Sequence, residues 1–155
     1  MTLEKADFSK KTVLWNLLQK YLYEFSVYYQ DQVEEDGNYA YPYFDSYFTE
    51  PGREAWLIRE EERLAGFLMM NRYSETGEEI DFAVAEFCIL PVYRRAHLGR
   101  QVMEEIFRTH RGRWQIKYNR RNPAAESFWN RVTDGFQKES LALEDEDRVI
   151  CFRND

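Results

Sequence analysis

Between residues 86 and 129 the chain concentrates the residue types that hold and activate a charged ligand. A short apolar run, Phe87-Cys88-Ile89-Leu90, leads into an arginine-rich turn, Pro91-Val92-Tyr93-Arg94-Arg95-Ala96-His97-Leu98-Gly99, and a helix-like segment follows. Strand, basic turn and helix in that order suit an oxyanion held on main-chain N–H groups. The first turn of a helix has donors without partners and a dipole that favours negative charge. A second helix start, Asn122-Pro123, comes after the next strand; Asn is a strong cap and Pro is pre-organised for the first helical position.

Charge narrows the ligand. The 155 residues carry 21 Lys/Arg and 28 Asp/Glu, a net charge of -7. From Arg94 to Arg121 nine Lys/Arg face only Glu104 and Glu105, a local +7, while the remainder stands at -14. A nucleic-acid surface expects a wider basic face than this acidic body offers. A compact polyphosphate fits a single island better, and a solvated arginine face is the alternative. No run approaches the ~18 apolar residues of a spanning helix, and the first residues show no apolar signal region. The expectation is one cytoplasmic domain over residues 1–155, with no membrane and no nucleic-acid partner; a homodimer is left open. Cys88 and Cys151 both fall in strand-like runs, which suits buried reduced thiols rather than a disulfide or a metal site, and no metal is expected.

Positioning these groups requires a sheet and helices, and apolar periodicity supplies both. Residues 12–29 have the helical spacing of Val13, Leu14, Leu17, Leu18, Tyr21, Leu22 and Phe25, with Ser9 or Thr12 as cap. Residues 31–51 mix Glu34-Glu35-Asp36-Gly37 with Tyr39, Tyr41, Tyr43, Phe44, Tyr47 and Phe48. Together they either face a cationic ligand or pack a short helix onto the core. Residues 55–58 and 64–70 form a hairpin without an Asn-Gly turn, and Thr76-Gly77 marks the next reversal. Ile80, Phe82 and Val84 hold one parity while Phe87 and Ile89 hold the other, so a strand here has a bulge near Ala85-Glu86 or is buried on both faces. Residues 100–110 are a helix stopped by Gly112; residues 114–118 are a strand; residues 136–153 close as two strands around Glu144-Asp145-Glu146-Asp147.

This order and these motifs resemble the GNAT superfamily of acyl-coenzyme A dependent N-acetyltransferases. The family's turn, Arg/Gln-x-x-Gly-x-Gly/Ala, is similar to Arg94-Arg95-Ala96-His97-Leu98-Gly99, with His97 in place of the first glycine. Its later Asn-x-x-Ala-x-x-Phe-Tyr resembles Asn122-Pro123-Ala124-Ala125-Glu126-Ser127-Phe128-Trp129, and Gly135-Phe136 follows with two extra residues. The resemblance implies an α/β (α+β) fold: a central mixed, mostly antiparallel twisted sheet with a bulged central strand, flanked by about four helices. It implies acetyl-coenzyme A as co-substrate, its pyrophosphate on the amides of residues 94–99 and its pantetheine arm along the backbone of Cys88, Ile89 and Leu90. Arg94, Arg95 and Arg100 would meet its phosphates, with Arg120 and Arg121 approaching from the next loop, and Asn122, Ala125 and Phe128 would complete the coenzyme side. His97 keeps its N–H but fills space that glycine leaves open, and a positive φ there would be strained.

The resemblance further implies direct attack of a neutral amine on the thioester in one cleft, with Glu86 as first choice of base. Glu86 could instead bind the substrate ammonium or pair with an arginine. Glu24, Tyr28 and Tyr41 are the candidates for the acceptor side. Trp129 stands where the family places a tyrosine acid; an indole N–H donates a hydrogen bond but is no acid near neutral pH, so Tyr118 or solvent substitutes, or the thiolate leaves unprotonated. The leading expectation is acetyl transfer to a primary amine of a cationic small molecule. The alternatives are a protein or peptide N-acetyltransferase and a non-catalytic acyl-coenzyme A sensor.

Overall fold

The computed structural model describes residues 1–94 and 97–155. Arg95 and Ala96, both expected at the coenzyme, lie outside the described residues. A seven-stranded sheet runs through the molecule. In chain order its strands are β1 (Thr2–Lys5), β2 (Glu54–Glu60), β3 (Arg63–Asn71), β4 (Phe82–Ile89), β5 (Arg113–Asn119), β6 (Lys138–Ala142) and β7 (Asp147–Arg153). They lie in the order β1-β2-β3-β4-β5-β7-β6, antiparallel throughout except for β4 and β5. Helices α1 (Lys11–Tyr29) and α2 (Ser46–Thr49) cover one face, and α3 (Leu98–Thr109) and α4 (Pro123–Val132) cover the other. The mixed sheet and four helices match the expected fold.

Two apolar clusters glue these layers. Leu14, Leu17, Leu18 and Tyr21 of α1 pack on Leu57, Phe67, Met69 and Cys88. Leu98, Val102, Met103, Ile106 and Phe107 of α3 pack on the opposite face against Trp114, Ile116, Ile150 and Phe152. A fully buried side chain of this size contributes roughly 1.5–3 kcal/mol by leaving water, so either cluster anchors its helices firmly.

The bulge is where parity places it. Met69 pairs with Glu86 but Met70 pairs with Val84, so Ala85 is the extra residue. Strands β4 and β5 pair only at Phe82↔Trp114, Ala83↔Gln115 and Val84↔Ile116. Beyond Val84 they part, and the sheet opens into a V.

Some local expectations need correction. β1 was not foreseen, because four residues of a charged edge strand carry almost no period. Neither Ser9 nor Thr12 caps α1: its N-cap is Lys10, with no side-chain cap bond, and Asp7 instead caps a short 3-10 turn by accepting from the Ser9 N–H at 2.9 Å. α3 ends at Thr109, before Gly112. Gly112 serves close approach, since a Cβ there would lie 2.3 Å from Asp81 Oδ2, which itself accepts from the Arg113 N–H. The β2–β3 hairpin turns on Glu61 and Glu62, both left-handed (φ 48° and 67°), so ordinary side chains occupy positions that usually favour Asn-Gly.

Candidate active site

The V between β4 and β5 is the floor of a cleft of about 1500 Å³ that passes from one face of the sheet to the other. On the α1 face it is lined by Glu86, Lys117 and the tyrosines of α1 and the following loop; on the α3/α4 face, by Phe87, Ile89, Gly99, Ala125 and Phe128. The bulge creates this arrangement. It turns Glu86 toward α1 and returns Phe87 and Ile89 to the face of Phe82 and Val84.

The α3/α4 side combines exposed main chain at helix starts with a wall of apolar and aromatic side chains. The N-cap of α3 is His97, whose φ of 57° is left-handed, the case in which strain is expected there, and its carbonyl accepts from the Gln101 N–H at 3.1 Å. Gly99 lies against Phe128: a Cβ would meet the ring edge at 3.1 Å and Ile89 at 3.5 Å. Asn122 caps α4 as its sequence predicts, accepting from the Ala125 N–H at 3.1 Å with Pro123 in the first turn. Trp129 is 7% exposed and closes this wall with Phe87 and Phe128, ring centroids 5.4 and 4.8 Å away. Tyr118 is buried on the same face and lines the cleft.

The free edge of β4 is narrower than expected. Leu90 donates its N–H to Ala65 at 2.8 Å and accepts from the Tyr93 N–H at 2.9 Å, so its main chain is already satisfied. Antiparallel ladders alternate edges, which turns Cys88 toward β3 as well and leaves Phe87 and Ile89 facing the V. The main chain of Phe87 and the Ile89 N–H are thus the part of this edge open to the V, and Cys88 lines the cleft beside them. The Leu98 side chain is buried in the core, 1% exposed, so only its main chain at the start of α3 can meet a ligand.

The basic stretch is no single patch. Arg94 donates from Nε to the Ile89 carbonyl at 2.7 Å and pairs with Glu24 at 2.8 Å; Arg100 pairs with Glu104 at 2.8 Å. Arg108 pairs with Glu105 and Arg111 reaches the Asn154 carbonyl, both at the other end of α3. Arg121 donates to the Tyr28 carbonyl at 3.4 Å. Thus Arg94 and Arg100 stand at the cleft, and Glu24, expected at the acceptor, is the partner of Arg94.

The α1 side is built from polar side chains. Tyr41 donates to Glu86 Oε1 at 3.3 Å. Burial pushes the Glu86 carboxyl up to about 7, against the pull of the Tyr21 and Tyr41 hydroxyls and of Lys117. Burial, reinforced by the Glu86 charge, raises both tyrosines well above the ordinary range, so they remain hydrogen-bond donors. Tyr28 lines the outer part of this side, stacked edge-on to Phe25 at 5.8 Å. Burial holds Cys88 up at about 11 despite Arg94, which makes it a thiol and a poor nucleophile.

Sequence reasoning missed the clamp that holds this side together. The Gln19 amide donates to the Tyr39 carbonyl at 2.8 Å and accepts from the Tyr39 N–H at 2.7 Å, pinning the loop after α1 so that Tyr41 reaches Glu86. It also missed Lys117, which pairs with Glu75 at 3.1 Å inside the cleft. Among the described residues no group of His, Cys, Asp and Glu is arranged to hold a metal, and no helix is long and apolar enough to cross a membrane.

A V-shaped opening, a bulged strand and a helix start on one side, with a carboxyl poised near neutrality on the other, give one cleft that two ligands can enter from opposite faces of the sheet. Known proteins agree. Residues 14–134 match the family described as acetyltransferase (GNAT) family. No curated protein sequence matches the chain. An acetyltransferase from Thermus thermophilus superposes with a TM-score of 0.69 at 18% identity, covering 99% of this chain and 97% of its own. A variant of the spermidine N-acetyltransferase from Vibrio cholerae gives 0.64 at 11%, covering 99% and 95%. A ribosomal-protein alanine N-acetyltransferase from Escherichia coli gives 0.59 at 13%, covering 97% and 90%. At such identities the likeness concerns the fold, which serves small-molecule and protein acceptors alike. The family match over most of the chain is what identifies it: this protein belongs to the GNAT family and is an acyl-coenzyme A dependent N-acetyltransferase.

Proposed function

We propose that the chain transfers an acetyl group from acetyl-coenzyme A to a primary amine of a cationic small molecule, with Glu86 as the base. The observation that carries this is Glu86 itself: a carboxyl held near 7 by burial, at the bulge, on the α1 side of the V. A base poised there is half ionised at neutral pH and can take the proton that an ammonium must lose before attack.

Acetyl-coenzyme A supplies an activated acyl group on a good leaving thiolate. The chain supplies binding and orientation. The first turn of α3, from His97 through Gly99, offers N–H groups to a pyrophosphate, and Arg100 can exchange its exposed partner Glu104 for a phosphate at little cost, since such surface pairs contribute ~0–1 kcal/mol. Asn122 fixes the start of α4, so that Ala125 and Phe128 face the same groove. The Phe87 and Ile89 main chain faces the V, where an N–H can stabilise the oxyanion. Tyr118 reaches the groove from β5 and is the proton donor we assign to the departing sulfur, in place of Trp129.

The acceptor class follows from what remains unpaired. Lys117 and Arg94 have acidic partners, Glu75 and Glu24, whereas Glu86 has only tyrosine donors. Added charge that binds here is therefore positive. Tyr28, Tyr41 and Glu24 border this space, and the loop pinned by Gln19 adds Tyr39 to Tyr43 to its wall, which favours a small amine over a peptide. Free thiol released from acetyl-coenzyme A across a panel of polyamines, aminoglycosides and N-terminal peptides tests the reading. Turnover with polycationic small molecules is expected; turnover with peptides alone overturns the acceptor assignment. Coenzyme A should also raise the melting temperature, and no shift at all would remove the coenzyme reading.

A further inference from the structure

Lys117 is a lysine in an unusual place. Of the chain's lysines, Lys5, Lys10, Lys11, Lys20, Lys117 and Lys138, it alone lines the cleft. It is the first residue of β5 beyond the last β4–β5 pair, Val84↔Ile116, so it stands at the point of the V. Its parity is opposite to that of Ile116 and Tyr118, which belong to the α3/α4-side core; its side chain therefore shares the α1 face with Glu86. It is near enough for the carboxylate to feel its charge. Its side chain is 41% exposed, and its one acidic partner is Glu75 at 3.1 Å.

We infer that Lys117 is a self-acetylation site: when no acceptor fills the cleft, its amine occupies the acceptor's place and takes the acetyl group. The inference rests on the coenzyme cleft proposed above. In the step, a proton leaves Lys117 Nζ to Glu86, and the nitrogen lone pair attacks the thioester carbonyl carbon. The C–N bond forms, the C–S bond breaks with its electron pair leaving on sulfur, and the second proton shed by the now cationic nitrogen is balanced by the one the sulfur takes up, through Tyr118 or solvent, to give free coenzyme A. The product is an uncharged acetamide. It no longer pairs with Glu75, and it adds bulk where an acceptor must enter, so modified protein is slow protein.

The test is mass spectrometry of the purified full chain incubated with acetyl-coenzyme A and no amine. One acetyl increment is expected, located on Lys117 by peptide mapping, with Lys5, Lys10, Lys11 and Lys20 as internal references for uncatalysed modification. Lys117→Arg keeps the charge opposite Glu75 and should lose the increment; Glu86→Gln should slow it by at least about tenfold. Excess coenzyme A should suppress it. Lys117 modified no faster than the reference lysines overturns the inference, as does an increment that survives in Lys117→Arg. Thermal shift with coenzyme A separates the two readings: coenzyme binding with Lys117 untouched overturns self-acetylation only, and no binding overturns both.

Discussion

The two sides of the V are made of different materials. On the α3/α4 side the polar groups proposed to hold the coenzyme are main chain, set against a wall of apolar and aromatic side chains: the start of α3, the Gly99–Phe128 contact, the Asn122 cap and the free edge of β4. On the α1 side they are long side chains contributed by distant segments: Tyr21 from α1, Tyr41 from a loop, Glu86 from β4 and Lys117 from β5. A backbone site is fixed by the fold and tolerates sequence drift around it. A side-chain site changes with each substitution. One half of this cleft is thus suited to a ligand shared by a family, and the other to a ligand of its own.

If that division is real, substitutions on each side should act on one substrate only. The largest effect is expected for Glu86→Gln. General-base loss should lower kcat by about 100-fold or more, with the KM for acetyl-coenzyme A unchanged. In the wild type, the acid limb of kcat/KM should titrate near 7, and it should vanish in the variant. Stability gives an independent check. The folded carboxyl binds its proton up to about 7, while the unfolded chain releases it near 4.5. As pH rises between these values the unfolded form ionises first, so the wild type loses stability, by up to roughly 3 kcal/mol and less where the carboxylate meets solvent. Glutamine cannot ionise. The melting temperature of Glu86→Gln should therefore gain on the wild type across that window and level off above it, and parallel curves would mean that Glu86 is not buried as ionisable charge.

Next come paired probes of the two sides. Gly99→Val puts a branched side chain where even a Cβ lies 3.1 Å from Phe128, pushing the ring into the groove. The KM for acetyl-coenzyme A should rise about tenfold, or ~1.4 kcal/mol, with the amine KM little changed. Gln19→Ala is the mirror experiment. It removes both bonds to Tyr39, each with a net value of about 1 kcal/mol, and frees the loop that carries Tyr41. The amine KM should rise about fivefold while the acetyl-coenzyme A KM holds. A variant that moves both constants together would show that the two halves are one cooperative unit.

The same contrast explains what could be read from the chain before its fold. The bulge was legible because period two makes a one-residue insertion visible as a switch of parity between Val84 and Phe87. The Asn122 cap was legible because capping is local chemistry over three residues. Glu86 could be named because it sits beside these features. Gln19 could not: a glutamine inside a helix carries no periodic signal, and its role depends on a backbone segment that folds back from Tyr39. Lys117 was hidden within a linear count of basic residues, which also joined Arg94 to Arg108 although they lie at opposite ends of α3. Caps and bulges are local properties. Clamps and pairings across a cleft depend on loop closure, which sequence spacing does not encode.

The smallest expected effect serves as the control for all the others. The β2–β3 turn holds Glu62 at φ 67° and lies outside the cleft lining. A left-handed residue with a Cβ costs roughly 1–2 kcal/mol, and glycine removes that cost while adding back some unfolded-state entropy. Glu62→Gly should therefore stabilise the protein by about 0.5–1 kcal/mol, raising Tm by about 2 °C in a chain of this size. Neither KM should move. If a relaxed turn this far from the V changed acetyl-coenzyme A or amine binding, the shifts seen in Gly99→Val and Gln19→Ala would report overall stability rather than separate sides. If it raises Tm alone, the division of the cleft into a backbone half and a side-chain half rests on local contacts.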